Sequence, residues 1–127
     1  MTKELFEQMV AEIGLSPVPE PFRKKIRNVA FVIEDEPSEA IRMSEGIMED
    51  EALLGLYQGI PQTARGEYYG VGMTLPDTIT LYRLPIEAAG NGNLDRIREV
   101  IADTIWHEVA HHFGLDHAEI DSRTNSS

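Results

Sequence analysis

The stretch Asn93-Leu94-Asp95-Arg96-Ile97-Arg98-Glu99-Val100-Ile101-Ala102-Asp103-Thr104-Ile105-Trp106-His107-Glu108-Val109-Ala110-His111-His112-Phe113-Gly114-Leu115-Asp116-His117 has the period of one long helix followed by a sharp turn. At about 100° per residue, Leu94, Ile97, Ile101, Ile105 and Val109 fall on one wide apolar arc, with Arg96, Glu99 and Asp103 opposite. Asn93 can cap the helix, Asp95 sits in its first turn, and Gly114 can end it in a left-handed conformation. His107 and His111 lie about 40° apart at one edge of the arc. The helix is therefore expected to pack along most of its face and to aim both imidazoles at the rim.

All 4 histidines of the chain lie in this stretch. Three of them, with a glutamate and a glycine, read His107-Glu108-x-x-His111-x-x-Gly114-x-x-His117. Histidines at i and i+4 project from successive turns, so their nitrogens can converge on one ion about 2 Å away. Glu108 points about 100° from the first of them and can reach a water on the metal without displacing a ligand. Zinc lowers the pKa of that water, and the carboxylate accepts its proton as general base. A turn at Gly114 can swing His117 back as third ligand, since glycine takes positive φ cheaply. Three protein ligands leave one position open, as in catalytic zinc sites. The motif thus reads as a site for one Zn2+ per chain on His107, His111 and His117, with Glu108 as the catalytic group. His112 falls on the apolar arc and is assigned to packing or to support of the ligands. Asp116 is one residue short of the third-ligand spacing and is assigned to the turn or to orienting an imidazole.

Outward from this helix the chain alternates short elements with breaks. Residues 3–13 carry Leu5, Phe6, Met9, Val10 and Ile13 on one helical stripe, with Thr2 as N-cap and Gly14 as stop. Pro17, Pro19 and Pro21 follow, with a short helix expected over 20–26. Val29-Ala30-Phe31-Val32-Ile33 reads as a strand covered on both faces. Residues 53–60 read as a second strand weakened by Gly55, residues 61–76 as a loop or irregular hairpin, and Thr78-Ile79-Thr80-Leu81-Tyr82 as a third strand. Residues 38–50 fit no single pattern, and 87–92 read as a connector.

Composition narrows the class. A chain of 127 residues with 42% hydrophobic content suits one folded domain, residues 1–127. A net charge of −11 opposes general affinity for nucleic acid or anionic lipid, so a nucleic-acid partner is not expected. The basic run Arg23, Lys24, Lys25 and Arg27 reads as a solvated helix face. The apolar runs are far too short for a membrane span, and Met1-Thr2-Lys3-Glu4 lacks the apolar core of a secretory signal. With 0 cysteines there are no disulfides or thiolate ligands, and a cytoplasmic protein is expected.

The extended motif resembles the zinc signature of the zincins, with metzincin spacing. Ten residues follow His117 and none is methionine, so neither a methionine turn nor a later-helix ligand of the gluzincin kind is expected. The chain more nearly resembles the small bacterial zincin-like metallopeptidases. That likeness runs through Asn28-Val29-Ala30-Phe31-Val32-Ile33-Glu34-Asp35-Glu36-Pro37, Leu54-Gly55-Leu56-Tyr57-Gln58-Gly59-Ile60-Pro61, Pro76-Asp77-Thr78-Ile79-Thr80-Leu81-Tyr82-Arg83 and His107-Glu108-Val109-Ala110-His111-His112-Phe113-Gly114. It implies a minimal α+β zincin-like fold, a small mixed sheet packed on the active-site helix, in a cytoplasmic metallopeptidase acting on peptide or protein substrates. Many such proteins have aspartate where this chain has His117, and either residue type binds zinc. The resemblance also implies an edge strand that holds substrate, expected over 78–82, and an oxyanion donor among Tyr82, Arg83, Tyr68 and Arg65.

Two other functions share parts of the pattern. The segment from His111 to His117 also resembles a bacterial rRNA-maturation endoribonuclease with three histidines at this spacing. That family has a small residue where this chain has Glu108, and an asparagine where it has Ile79. The other reading is a zincin-like module that binds zinc and cleaves nothing, against which intact Glu108 argues.

Overall fold

Asp77–Tyr82 (β3) lies at the centre of a mixed sheet. In the computed structural model, which describes residues 1–26, 28–48, 51–59 and 76–115, this strand has a neighbour on each side. Val29–Glu34 (β1) pairs with it in parallel, Phe31 opposite Ile79, and Gly55–Gln58 (β2) pairs with it antiparallel, Tyr57 opposite Ile79. Among the described residues the strand order is β1-β3-β2, and β2 is paired on one side only. The expectation that residues 78–82 form the substrate-holding edge is therefore corrected: both sides of β3 are already hydrogen-bonded, and β2 is the strand nearest the long helix.

Helices cover one face of this sheet. Lys3–Ile13 (α1) has the expected bounds, with Thr2 Oγ1 accepting from Leu5 N at 3.1 Å, and it buries Phe6, Met9 and Val10. Glu20–Arg23 (α2) is extended by single turns to Ile26 and buries Phe22. Arg83–Ala89 (α4) was not expected, runs into the first three residues of the expected connector 87–92, and buries Ile86. Its Pro85 lies in the first turn, where backbone N–H groups have no helical acceptor and proline costs little. Leu94–His112 (α5) buries Ile97, Ile101, Ile105 and Val109 as expected, together with Trp106 and Ala110. Leu94 is 50% exposed, because the first turn of α5 precedes the packed region. These side chains meet Ile79 and Leu81 of β3 in one core. The result is the α+β arrangement expected, with a small mixed sheet packed on the long helix.

Residues Glu39–Ser44 (α3) resolve the ambiguous stretch. Ser38 Oγ caps the helix by accepting from Ile41 N at 3.2 Å, but none of its residues is buried, so burial leaves no periodic signal there. The loop expected over 61–76 lies, apart from Pro76, outside the described residues, as do Ile60 and Arg27. Among the described residues no helix is long and apolar enough to cross a membrane.

Candidate metal centre

Both ends of α5 are fixed by the residues that the sequence singles out. Asn93 Oδ1 accepts from Arg96 N at 3.1 Å. At the other end, Leu115 N donates to Ala110 O and Gly114 N to His111 O, with Gly114 at φ 79°. This paired closure is the Schellman arrangement, and it needs a left-handed residue just past the helix. The chain therefore turns sharply at Gly114, two residues before Asp116 and three before His117. Both of those lie outside the described residues.

His107 and His111 stand on successive turns, with ring centroids 6.4 Å apart and planes 83° from parallel. His107 Nδ1 is 2.8 Å from Asp103 O. A carbonyl oxygen only accepts, so the proton resides on Nδ1 and the lone pair on Nε2. That is the arrangement a metal-ligating imidazole needs. Both histidines line an open cleft of about 410 Å³ with Glu108, Ala52, Leu53, Leu54, Ala89 and Val100. Among the described residues no three His, Asp or Glu side chains form a metal-holding group. The two imidazoles on one helix face, one with its tautomer set by the backbone, nevertheless suit zinc as a donor pair.

Glu108 is half-buried, which its position explains. Seven residues after Ile101, it falls about 20° from that core side chain and is turned toward β2. Its Oε1 accepts from Tyr57 N at 3.3 Å. The strand register accounts for this bond. Tyr82 N donates to Leu54 O and Leu56 is paired with Thr80, so the amides of Gly55 and Tyr57 face away from β3. Burial pushes the Glu108 carboxyl up to about 7, assisted by Glu45 and opposed by the Tyr57 N–H and by His107. β2 approaches α5 closely only because residue 55 is glycine: a Cβ there would lie 2.7 Å from Thr104 Cγ2 and 3.0 Å from Thr80 O.

Several expected roles change. His112 is exposed, not buried on the arc. The last turn of α5 projects past the core, and there the same direction is filled by the Tyr57 ring, stacked on His112 at 4.0 Å and 20°. Arg83, expected among the oxyanion donors, does not line the cleft: Nε donates to Asp35 at 3.0 Å and Nη1 to Glu87 at 3.2 Å. Tyr82 is 1% exposed and does not line the cleft, and its phenol is raised by burial first and by Glu34, Glu45 and Glu108 after it. Tyr68 and Arg65 lie outside the described residues. Tyr57 is the residue of the candidate site that sequence reasoning missed. Its contribution is a main-chain N–H, and the available sign was a strand between Gly55 and Gly59, which marks close backbone approach.

The profile of the zincin-like metallopeptidases matches residues 26–126, from just before β1 to beyond the whole motif. The chain belongs to this family. No curated protein matches it. The matched segment spans the sheet, α5 and the positions of His107, Glu108, His111 and His117 alike.

Proposed function

We propose that this zincin-like protein is a zinc-dependent peptidase that uses His107, His111 and His117 as metal ligands and Glu108 as general base. The observation that carries the reading is Glu108 itself, held by the Tyr57 amide in the same cleft as two imidazoles of ligand spacing. The left-handed turn at Gly114 supports His117 as third ligand, since it redirects the chain immediately before it. Bound zinc supplies Lewis acidity, which acidifies a water molecule and polarises the scissile carbonyl.

The chain's own groups do the rest. The Asp103 carbonyl fixes the His107 tautomer. The Tyr57 N–H holds Glu108 Oε1, leaving the second carboxylate oxygen to take a proton from the attacking water. The Glu108 carboxylate can accept that proton and return it to the departing amine. Ala52, Leu53, Leu54, Ala89 and Val100 give the cleft apolar walls, which suit a substrate with an apolar side chain beside the scissile bond. The net charge of −11 favours a peptide or protein substrate over RNA.

A mixed peptide library and a structured RNA, each incubated with zinc-loaded wild type and with Glu108→Gln, test this reading. Wild type is expected to cleave peptides beside apolar residues, Glu108→Gln to cleave none, and the RNA to stay intact. RNA cleavage with peptides untouched would overturn it.

A further inference from the structure

Tyr57 is held at three points, and two of them lie on one face of α5. Its amide donates to Glu108 Oε1 at 3.3 Å. Its ring lies flat on the His112 imidazole, centroids 4.0 Å apart and planes 20° from parallel. Its hydroxyl donates to Asp77 Oδ2 at 2.7 Å, and Asp77 N in turn donates to Asn28 O at 3.0 Å. Glu108 and His112 are four residues apart, so they stand one above the other on the helix. One residue of β2 thus spans consecutive turns, its backbone on the general base and its ring on the histidine. The chain leaving β2 stays close to the same imidazole: a Cβ at Gly59 would lie 3.2 Å from His112 Cε1.

From this geometry we propose that His112 is a positioning residue, acting through the stacked Tyr57 ring to keep the Tyr57 amide aimed at Glu108. It touches neither metal nor substrate. Its contribution is orientational, since a carboxylate anchored at one oxygen presents the other in a fixed direction. The stack ties the last turn of α5 to the Tyr57 ring, while His111 lines the cleft. A planar ring is what the site requires, and His112→Phe should replace the imidazole where His112→Ala cannot.

The test combines amide exchange by NMR on the full 127-residue chain with peptide kinetics, on wild type, His112→Ala and His112→Phe. In His112→Ala the Tyr57 amide is expected to exchange roughly tenfold faster, the strength of a stacked aromatic pair, while the Leu56 amide, turned toward β3, keeps its protection. kcat should fall by roughly three- to tenfold with KM and zinc content unchanged. His112→Phe should restore both exchange and kcat. Unchanged Tyr57 exchange in His112→Ala, equal loss of protection at Tyr57 and Leu56, or failure of His112→Phe to restore would each overturn the proposal. The kinetic arm rests on the peptidase reading. If wild type cleaves no peptide that reading fails, and the exchange arm still decides the role of His112.

Discussion

Burial raises Glu108 to about 7 from the ordinary 4.5, and this has a consequence for the metal-free protein. Between those two values the folded chain holds a proton that the unfolded chain has released. Stability due to this group is therefore full below about pH 4.5 and is lost as pH rises through about 7. Glu108→Gln has no such group, so its advantage over wild type should grow across that window, on the order of 1–3 kcal/mol, and then level off. Denaturant unfolding of both metal-free proteins from pH 4 to 8 checks this, and a constant difference would contradict it. In the zinc-loaded protein the same substitution should keep the metal and lower kcat by about a hundredfold or more, the usual worth of a positioned base. At this scale the sequence was informative about candidates that are side chains: His107, Glu108 and His111 stand out by type and spacing. It was silent on Tyr57, because a main-chain N–H looks the same in every residue. Of the four candidate oxyanion donors, Arg83 and Tyr82 do not line the cleft, because residue type alone does not say which way a side chain faces.

Helix α5 was legible from end to end, from the Asn93 cap to the left-handed Gly114, because each boundary depends on a local side chain or a local backbone conformation. Replacing Asn93 by Ala should cost about 1 kcal/mol of stability, the ordinary worth of an N-cap, without altering activity at the far end of the helix. Thermal unfolding and peptide kinetics on the same preparation separate the two. Gly55→Val is a harsher change. Its side chain would enter the space of Thr104 and the Thr80 carbonyl, and the backbone carbonyl cannot yield as a rotamer can. β2 should move off α5, with activity lost well before the fold, which circular dichroism at the temperature of assay would register. By contrast, α3 and α4 were hidden. The first buries nothing and so has no apolar period, and the second carries Pro85 in a turn that tolerates it.

The order of the strands is a property of the whole molecule, and no local pattern encodes it. Thr78-Ile79-Thr80-Leu81-Tyr82 alternates as a one-sided strand does, yet it lies between two neighbours. Ile79 and Leu81 join the core and Thr80 and Tyr82 on the other face are buried as well, so the alternation marks no open edge. The fold class survived this error because the sheet and the long helix can be recognised without knowing which strand is central. With β2 beside α5, one strand serves both the sheet and Glu108, and the helix that supplies six of the fourteen buried core residues also carries the candidate ligands. Peptidase activity of the proposed kind requires that those ligands hold a metal. Metal analysis of untagged protein supplied with zinc, beside His111→Ala, tests that most directly. The expected result is about one zinc per wild-type chain and little or none in the variant. No zinc in wild type, or equal zinc in both, would contradict it.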